Sequence, residues 1–321
     1  MRLRVLNMAD VSEFPDVLEP LNSVAEVVSL PADQKFLIEQ IPDFDAYLAS
    51  LYVRASREVL ERAERLRVIA TPTTGLDHID MTCAKERNIA VLSLRDDIEF
   101  LGSITATAEL AWGLLLATVR RLPWAFDAAK GGHWAREEYR GHQLSGKTLG
   151  ILGYGRLGRI VAEYGQAFRM RVIAFDVSDV TPAEGVEMVD FHTLLRESDV
   201  LSLHIHLTEE NRGIINDEVF TKMKPSAVLI NTSRGAIVDE SALLDALQSG
   251  RLAGAGLDVI EGEWNENLAR HPLIRYANEH ENLVISPHIG GVTYESQRMV
   301  YERTVGKLKD YLERLSRGII P

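Results

Sequence analysis

Residues 148–160 read TLGILGYGRLGRI, an apolar run that leads directly into three closely spaced glycines. The run predicts a β-strand, and the residues that follow have the periodicity of a helix. In such a strand–turn–helix unit, Gly153 permits a tight turn, Gly155 lets the backbone approach a diphosphate, and Gly158 allows close helix–strand packing. The start of the helix adds amide donors and a partial positive charge. The stretch therefore predicts dinucleotide binding. The other turn residues expected to lie against the cofactor are Tyr154, Arg156 and Leu157.

The next apolar run, RVIAFD at 171–176, ends in an aspartate about 20 residues beyond the glycines. A carboxylate at this place can accept hydrogen bonds from the hydroxyls of an adenosine ribose, and it would repel a 2′-phosphate. Asp176 therefore indicates NAD in preference to NADP, although Ser178 or an arginine from elsewhere could weaken that preference. The alternative interpretation is a glycine turn in a sheet that binds nothing.

Outside this unit, short apolar runs alternate with helical patterns along all 321 residues, which is typical of an α/β fold with parallel sheets. A long apolar helix is expected at 103–122, ending before Pro123. Charged and final helices are expected at 57–65 and 293–317. Strands are expected at 3–6, 26–29, 46–50, 66–70 and 89–92, and six more at 149–152, 171–175, 200–205, 227–231, 256–260 and 283–286.

The length and this order of segments predict two domains. Residues 101–290 would form a Rossmann-type, doubly wound NAD-binding domain, since six strands with intervening helices are what such a sheet needs. Residues 1–100 and 291–321 would form the other domain, because the last helix is expected to return to it. The NAD-binding domain would then be an insertion.

Composition excludes several classes of function. Acidic residues outnumber basic ones by 47 to 35 and the formal net charge is −12, so no nucleic-acid partner is expected. The lone cysteine, Cys83, cannot form an internal disulfide, and no Cys/His cluster has metal-ligand spacing, which indicates a metal-free protein of the reducing cytoplasm. The N-terminus lacks a signal-peptide pattern, and the apolar run at 110–119 is too short to span a bilayer, so no membrane association is expected.

Three chemically active side chains directly follow expected strands. Arg234 comes after the strand AVLINTS, Glu263 after GAGLDVI, and His288 after LVIS and a proline. Ligands of open α/β sheets bind beyond the carboxyl ends of the strands, so the three are expected to share one crevice. Arg234 would bind a carboxylate, His288 would exchange a proton with a carbonyl or hydroxyl oxygen, and Glu263 would orient the imidazole and favour its protonated form. This set suits the interconversion of a 2-oxo acid and a 2-hydroxy acid.

Other interpretations of these residues remain open at this point. Each residue alone could be an ordinary solvated or structural side chain. His204 and His206, in SLHIHLTEE, also flank a strand end and are expected to line the cofactor pocket, although a catalytic function for either is the less economical hypothesis. Further cofactor contacts are expected at Thr232 and Asp258, beside the same strand ends.

The sequence resembles the D-isomer-specific 2-hydroxyacid dehydrogenase family, which includes phosphoglycerate, formate and D-lactate dehydrogenases and glyoxylate/hydroxypyruvate reductases. The resemblance covers residues 51–297, and the order and spacing of the motifs agree with the family. The matching motifs are GLDHID (75–80), TAEL (107–110), SGKTLGILGYGRLG (145–158), SDVLSLH (198–204), NTSRGAIVDE (231–240), LAGAGLDV (252–259) and SPHIGG (286–291).

The resemblance implies an NAD-dependent enzyme with a flavodoxin-like substrate-binding domain and a homodimer joined through the cofactor domains. By motif, the catalytic residues fall on Arg234, Glu263 and His288. The implied substrate is a small 2-hydroxy or 2-oxo acid. The residues implied to contact it are Arg54, backbone amides of Thr73, Thr74 and Gly75, and, from a partner subunit, Trp134. With Arg54, Arg136 hints at a substrate that carries additional negative charge.

Three features depart from the family pattern. His206 and Trp264 stand where prolines are usual, and the loop RDDIEFLGSI is longer than expected. These departures leave the identity of the acid open. Two alternative functions also remain: an NAD(H)-sensing binding protein of the co-repressor type and an enzyme like phosphite dehydrogenase.

Overall fold

In the computed structural model, which describes residues 2–265 and 267–320, the chain divides into two units. One comprises the residues up to Ser103 together with those from Thr293 onward, and the other is Ile104–Val292. Each unit contains one parallel sheet covered by helices. The sequence had placed the limits at 100/101 and 290/291.

The first unit is built on a sheet of five strands: β1 (Leu3–Asn7), β2 (Ala25–Ser29), β3 (Ala46–Leu48), β4 (Val68–Ala70) and β5 (Ala90–Leu92). Their order in the sheet, β2-β1-β3-β4-β5, is that of flavodoxin-like folds. The helices are α1 (Gln34–Gln40), α2 (Arg57–Arg62), α3 (Met81–Glu86), α4 (Ile98–Gly102) and, last in the chain, α12 (Tyr294–Ser316). The apolar face of α12, with Val305, Leu308 and Leu312, is buried in the same core as strands β1, β3 and β4.

The second unit is built on a sheet of seven strands: β6 (Thr148–Leu152), β7 (Arg171–Phe175), β8 (Val186–Met188), β9 (Val200–Leu203), β10 (Val228–Asn231), β11 (Gly254–Leu257) and β12 (Leu283–Ile285). Their order, β12-β11-β10-β9-β6-β7-β8, is that of a doubly wound Rossmann sheet, which reverses direction between β6 and β9. The helices are α5 (Ala106–Val119), α6 (Leu122–Lys130), α7 (Arg156–Ala167), α8 (Phe191–Glu197), α9 (Asp217–Lys222), α10 (Glu240–Gln248) and α11 (Pro272–Glu279).

Burial on both faces explains why the central strands of this sheet are almost entirely apolar. Leu203, Leu229 and Leu257 belong to the core on one side, and Ile151 and Ile230 to the core on the other. A parallel sheet covered by helices on both faces needs apolar side chains in both directions. Apart from Ser202, the polar residues of the central strands β6, β9, β10 and β11 lie at strand ends.

The expected single helix at 103–122 is wrong. Helix α5 ends at Val119, Arg121 adopts a left-handed conformation with φ +53°, and α6 begins at Leu122. Pro123 lies in the first turn of α6, where its missing N–H is not needed, so it accompanies a helix start and not a helix end. Among the described residues, Ile98–Val119 is long and apolar enough to pass a test for a membrane span. Core helices pass the same test, and α5 packs on β10, β11 and α7.

The sequence also missed β8, which makes seven strands in the second sheet instead of six. Strand β8 has three residues, lies at the edge and buries only Val186 completely. So short a segment carries no alternation that sequence analysis could detect. The charged helix expected at 57–65 is shorter in the structure and ends at Arg62.

Candidate active site

Glycine occupies each of the three positions in residues 148–160 for a different structural reason. Gly153 has φ +94°, and a Cβ there would lie 2.5 Å from the carbonyl oxygen of His204. A Cβ on Gly158 would lie 2.2 Å from the carbonyl oxygen of Gly153, so this glycine lets α7 approach the turn. Gly155 caps α7, and a Cβ there would meet nothing within 4 Å among the described residues. Open space before a helix N-terminus suits a bound phosphate.

Asp176 ties the end of β7 to the glycine turn. Its Oδ2 accepts a hydrogen bond from the backbone N–H of Tyr154 at 2.8 Å, and its Oδ1 accepts one from Ser178 at 2.9 Å. The side chain of Tyr154 is fully buried, and its hydroxyl accepts a hydrogen bond from Ala183. The contribution of Tyr154 to the turn is therefore its backbone, while its phenol ring packs in the core.

The other two turn residues, both half-buried, flank the start of α7. The guanidinium of Arg156 donates a hydrogen bond to the carbonyl oxygen of Ile104 at 2.6 Å, and burial lowers the pKa of Arg156. Leu157 packs against the core beneath the turn. Arg156 and Leu157 thus hold the glycine turn and the start of α7 against the rest of this unit.

Two polar atoms at the ends of β9 and β10 are buried without a hydrogen-bond partner among the described residues. They are Nδ1 of His204 and Oγ1 of Thr232. A buried polar group without a partner is costly, so atoms of this kind mark a place where a polar ligand fits. His204 follows β9, which borders the point where the sheet order reverses, and Thr232 follows the adjacent strand β10; dinucleotides bind at this point in the fold. The residues present therefore fit an NAD molecule.

The structure separates the histidines by environment. Burial lowers the pKa of His204 to about 4, and its Nε2 lies 2.8 Å from the hydroxyl oxygen of Ser202. His204 is therefore neutral at physiological pH and is a poor proton donor. His206 is exposed, and its carbonyl oxygen accepts a hydrogen bond from Asn211.

Arg234 follows β10 on a turn held by a buried asparagine. The side chain of Asn231 accepts a hydrogen bond from the N–H of Ser233 and donates one to the carbonyl oxygen of Arg234, both at 2.9 Å. The guanidinium of Arg234 also donates to the carbonyl oxygen of Ser233 at 2.8 Å. Sequence analysis missed Asn231, which fixes the backbone from which Arg234 projects.

Glu263 and His288, separated in sequence, are in contact. Oε1 of Glu263 lies 2.6 Å from Nδ1 of His288, and both side chains are largely buried. A carboxylate accepts from Nδ1–H, so this contact assigns the proton of a neutral ring to Nδ1 and leaves Nε2 for other chemistry. The neighbouring positions of β10, β11 and β12 also put the loop of Arg234 beside the loop of Glu263.

Asp258 shapes the segment that carries His288. Its carboxylate accepts hydrogen bonds from the hydroxyl of Ser286 and from the amides of Ile289 and Gly290, at 2.6 to 2.9 Å. Its carbonyl oxygen accepts from the N–H of His288, which has φ +55°. Burial raises the pKa of Asp258. The sequence predicted Asp258 as a cofactor contact, and the structure adds that it positions the histidine.

Gly235 lets two backbone segments meet. A Cβ on this residue would lie 2.2 Å from the carbonyl carbon of Ile260 and 2.4 Å from the nitrogen of Glu261. No side chain fits in such a space without moving backbone. The segments after β10 and β11, which carry Arg234 and Glu263, are therefore in direct contact here.

In the first unit, three of the residues implied to bind substrate lie on a loop after β4 that is held by a chain of hydrogen bonds. The hydroxyl of Thr73 donates to the carbonyl oxygen of Gly75 at 2.7 Å, so it must accept from Thr71 across their 2.8 Å contact. Thr71 must then accept from Nε2–H of His78 at 3.1 Å. His78, which sequence analysis missed, thereby fixes the donor-to-acceptor direction of this series of hydrogen bonds.

Of the remaining predicted residues, Arg54, Trp134 and Arg136 are exposed. Arg54 donates a hydrogen bond to the carbonyl oxygen of Asp77 at 3.2 Å. Thr74 is half-buried, whereas Trp134 and Arg136 lie on the exposed segment after α6. Among the described residues, no group of His, Cys, Asp and Glu side chains is arranged to hold a metal ion.

Comparison with known proteins shows the family of this chain. Residues 112–290 match the family model of the "D-isomer specific 2-hydroxyacid dehydrogenase, NAD binding domain". A hydroxypyruvate reductase of Thermotoga maritima is 38% identical over 283 residues, covering 88% of this chain and 90% of that protein. A glyoxylate reductase of Thermococcus litoralis is 40% identical over 279 residues, covering 83% and 80%.

A solved structure extends the similarity to the whole fold. A D-lactate dehydrogenase of Aquifex aeolicus, complexed with NAD and lactic acid, superposes with a TM-score of 0.86 at 30% identity, covering 97% of this chain and 95% of that one. The chain belongs to the D-isomer specific 2-hydroxyacid dehydrogenase family. It is an NAD-dependent oxidoreductase of that family, and its cofactor is NAD.

Proposed function

We propose that this enzyme interconverts a D-2-hydroxy acid and its 2-oxo acid, with His288 as the proton donor and acceptor. The observation that supports this most directly is the 2.6 Å contact between Glu263 and Nδ1 of His288. It leaves Nε2 as the reactive nitrogen and places a carboxylate where it stabilises the protonated ring.

In reduction, Nε2–H of protonated His288 donates its proton to the carbonyl oxygen of the substrate, and the ring becomes neutral. In oxidation, neutral Nε2 takes the proton of the hydroxyl group. Glu263 keeps Nδ1–H in place in both directions. The guanidinium of Arg234 binds the substrate carboxylate and polarises the carbonyl group, since a planar fork of donors suits both oxygens.

When bound, NAD accepts or supplies the hydride that C2 of the acid loses or gains. The residues proposed to hold it are the glycine turn at the start of α7, Asp176 at the ribose, and His204 and Thr232 at the buried strand ends. Asp176 supports NAD over NADP because its carboxylate would face a 2′-phosphate.

Small 2-oxo acids such as glyoxylate and hydroxypyruvate are the proposed substrates. Relatives that match over most of the chain are named as reductases of these two acids. Two polar features of the first unit support a small acid with a carboxylate: the constrained loop 73–75 and the guanidinium of Arg54 beside Asp77.

The enzyme is also proposed to be a homodimer. Helix α6 has no buried residue, and the apolar side chains of Phe126 and Trp134 are 58% and 87% exposed in the single chain. Exposed large apolar groups on one segment are typical of an interface. Sedimentation of the wild-type protein and of Phe126→Glu tests this, since a dimer through α6 would dissociate in the variant.

A direct test of the reaction is NADH oxidation with a panel of 2-oxo acids, for wild type and His288→Asn. Asparagine tolerates the left-handed backbone of residue 288, so the variant should fold and bind NADH. We expect turnover to fall by at least about 1,000-fold, in line with loss of general acid catalysis. The surface variant His192→Asn is the control.

Normal turnover of His288→Asn would refute the proposed role of this residue. A wild-type protein that binds NADH but reduces no 2-oxo acid would instead be an NAD(H)-sensing binding protein. If the protein instead reduced NAD with phosphite as the hydride donor, it would be an enzyme like phosphite dehydrogenase.

A further inference from the structure

The indole ring of Trp264 is stacked on the imidazole ring of His288. The ring centroids are 5.6 Å apart and the planes differ by 25°. Trp264 directly follows Glu263, so one short segment supplies both the carboxylate at Nδ1 and the aromatic group at the face of the ring. Trp264 remains 46% exposed, which is more than a residue needed only to fill the core would be.

The other constraints on His288 act elsewhere on the residue. Glu263 holds the edge of the ring at Nδ1, and Asp258 holds the backbone through the amides on either side. Neither contact covers a face of the imidazole. The stacked indole supplies this third constraint, because it limits rotation of the imidazole about its Cβ–Cγ bond.

The charge of the ring changes during the reaction, and the indole responds to that change. The face of an indole carries negative electrostatic potential and attracts a cation, including a protonated imidazole. The charged groups that the contacts bring to His288 are the carboxylates of Glu263 and Asp258, which also favour the protonated ring. Trp264 stabilises the protonated ring in addition to these two carboxylates, and substitutions of Trp264 leave both carboxylates in place.

We propose that Trp264 is a positioning residue that acts through His288, holding the plane of its imidazole and stabilising its protonated form. This inference rests on the proposed role of His288 in proton transfer. It explains the tryptophan at a place where a proline is usual in the family. A proline could follow Glu263 but could not offer an aromatic face.

The kinetic test compares Trp264→Phe with Trp264→Leu. Leucine keeps apolar bulk and loses the aromatic face, whereas phenylalanine keeps both. We expect kcat for 2-oxo acid reduction to fall about two- to five-fold in Trp264→Leu, with the KM for the acid and the Kd for NADH unchanged, and to be largely retained in Trp264→Phe.

A second readout does not need turnover. In histidine-labelled protein, the ring protons of His288, assigned by means of His288→Asn, should be shifted by the indole ring current in wild type. The shift should disappear in Trp264→Leu and be retained in Trp264→Phe, whose ring is also aromatic.

Equal kcat values and equal ring-proton shifts in Trp264→Leu and Trp264→Phe would overturn the proposal. If wild type reduces no 2-oxo acid but the ring-proton shift is lost only in Trp264→Leu, the stacking role stands and the proposed reaction fails. If the reaction proceeds and the ring-proton shift is the same in all three proteins, the reaction stands and the role of Trp264 fails.

Discussion

The carboxylate of Glu263 faces Nδ1 of His288 at 2.6 Å, and by doing so it decides which nitrogen of the ring is available to a substrate. Replacing it with the neutral, isosteric amide in Glu263→Gln removes the charge that favours the protonated ring. We expect kcat for reduction to fall about ten-fold, because the imidazolium that donates the proton loses its neighbouring carboxylate. Steady-state kinetics measure this. The control is Glu261→Gln, on the same segment but paired with Arg212; an unchanged kcat in Glu263→Gln would contradict the assignment.

Asp258→Asn should impair catalysis through the backbone of His288. The amide nitrogen of asparagine is a donor and would face the donor N–H of Ile289 or Gly290. We expect kcat to fall at least about ten-fold and stability to fall by about 1–3 kcal/mol. Measured kcat and thermal unfolding together test this, and a fully active variant would be inconsistent with it.

The activity of the wild-type enzyme should also depend on the protonation of Asp258. Because burial raises the pKa of Asp258 above its ordinary value of 3.8, protonation removes an acceptor from this segment at a higher pH than an exposed aspartate would. Activity should therefore decline on acidification before the protein unfolds.

Asp176→Ser should change the choice of cofactor. Serine removes the carboxylate that would repel a 2′-phosphate, so the ratio of kcat/KM for NADPH to that for NADH should rise by about ten-fold or more. The variant also loses the acceptor for the amides of Tyr154 and Ser178, so slight destabilisation of about 1 kcal/mol is expected. Asp179→Ser, exposed in the same loop, is the control. An unchanged ratio would argue against a ribose contact.

Thr73→Val should weaken substrate binding. Valine keeps the shape of threonine and breaks the hydrogen-bond chain from His78 to the carbonyl oxygen of Gly75. We expect the KM for the 2-oxo acid to rise about five- to ten-fold, as for the loss of one or two hydrogen bonds, with the Kd for NADH unaltered. Thr74→Val is the matched control. Equal KM values in the two variants would show that these hydrogen bonds do not contribute to substrate binding.

Asp97→Asn should destabilise the first unit. The carboxylate of Asp97 binds Arg303 and Lys307 of α12, both at 3.0 Å, and Arg303 is the main reason that its pKa is lowered. A lowered carboxyl pKa contributes stability above the ordinary value of 3.8, and that stability is lost as the pH falls through the folded-state value. Unfolding at neutral pH should show a loss of about 1 kcal/mol that shrinks as the pH falls below 3.8. Asp96→Asn, which is exposed, should show no such loss.

The local structure that sequence analysis predicted correctly is that of one strand–turn–helix unit, β6 followed by the glycine turn and α7. The glycines at 153, 155 and 158 and the aspartate at 176 follow from local geometry, because each serves a turn or a strand end within a short stretch of chain. The contact of Glu263 with His288 was also predictable, because parallel strands bring their carboxyl ends to the same edge.

The features that were missed depend on contacts between distant parts of the chain or on single backbone angles. Trp264 was noted as a departure, but its stacking on His288 joins two loops that only the fold brings together, and no sequence pattern encodes it. The role of Asp258 depends on a loop that begins at Ser286. Pro123 was taken for a helix end because proline is common both after helices and in their first turn.

The backbone crossing at Gly235 also bears on how this enzyme could be altered. Since the loop of the arginine rests on the loop of the glutamate with no room for a methyl group, neither can be lengthened, exchanged or redesigned by itself. A survey of random variants would find this glycine as intolerant as the reactive residues, although it contributes no chemistry. Redesign for a different acid must treat both loops as one piece.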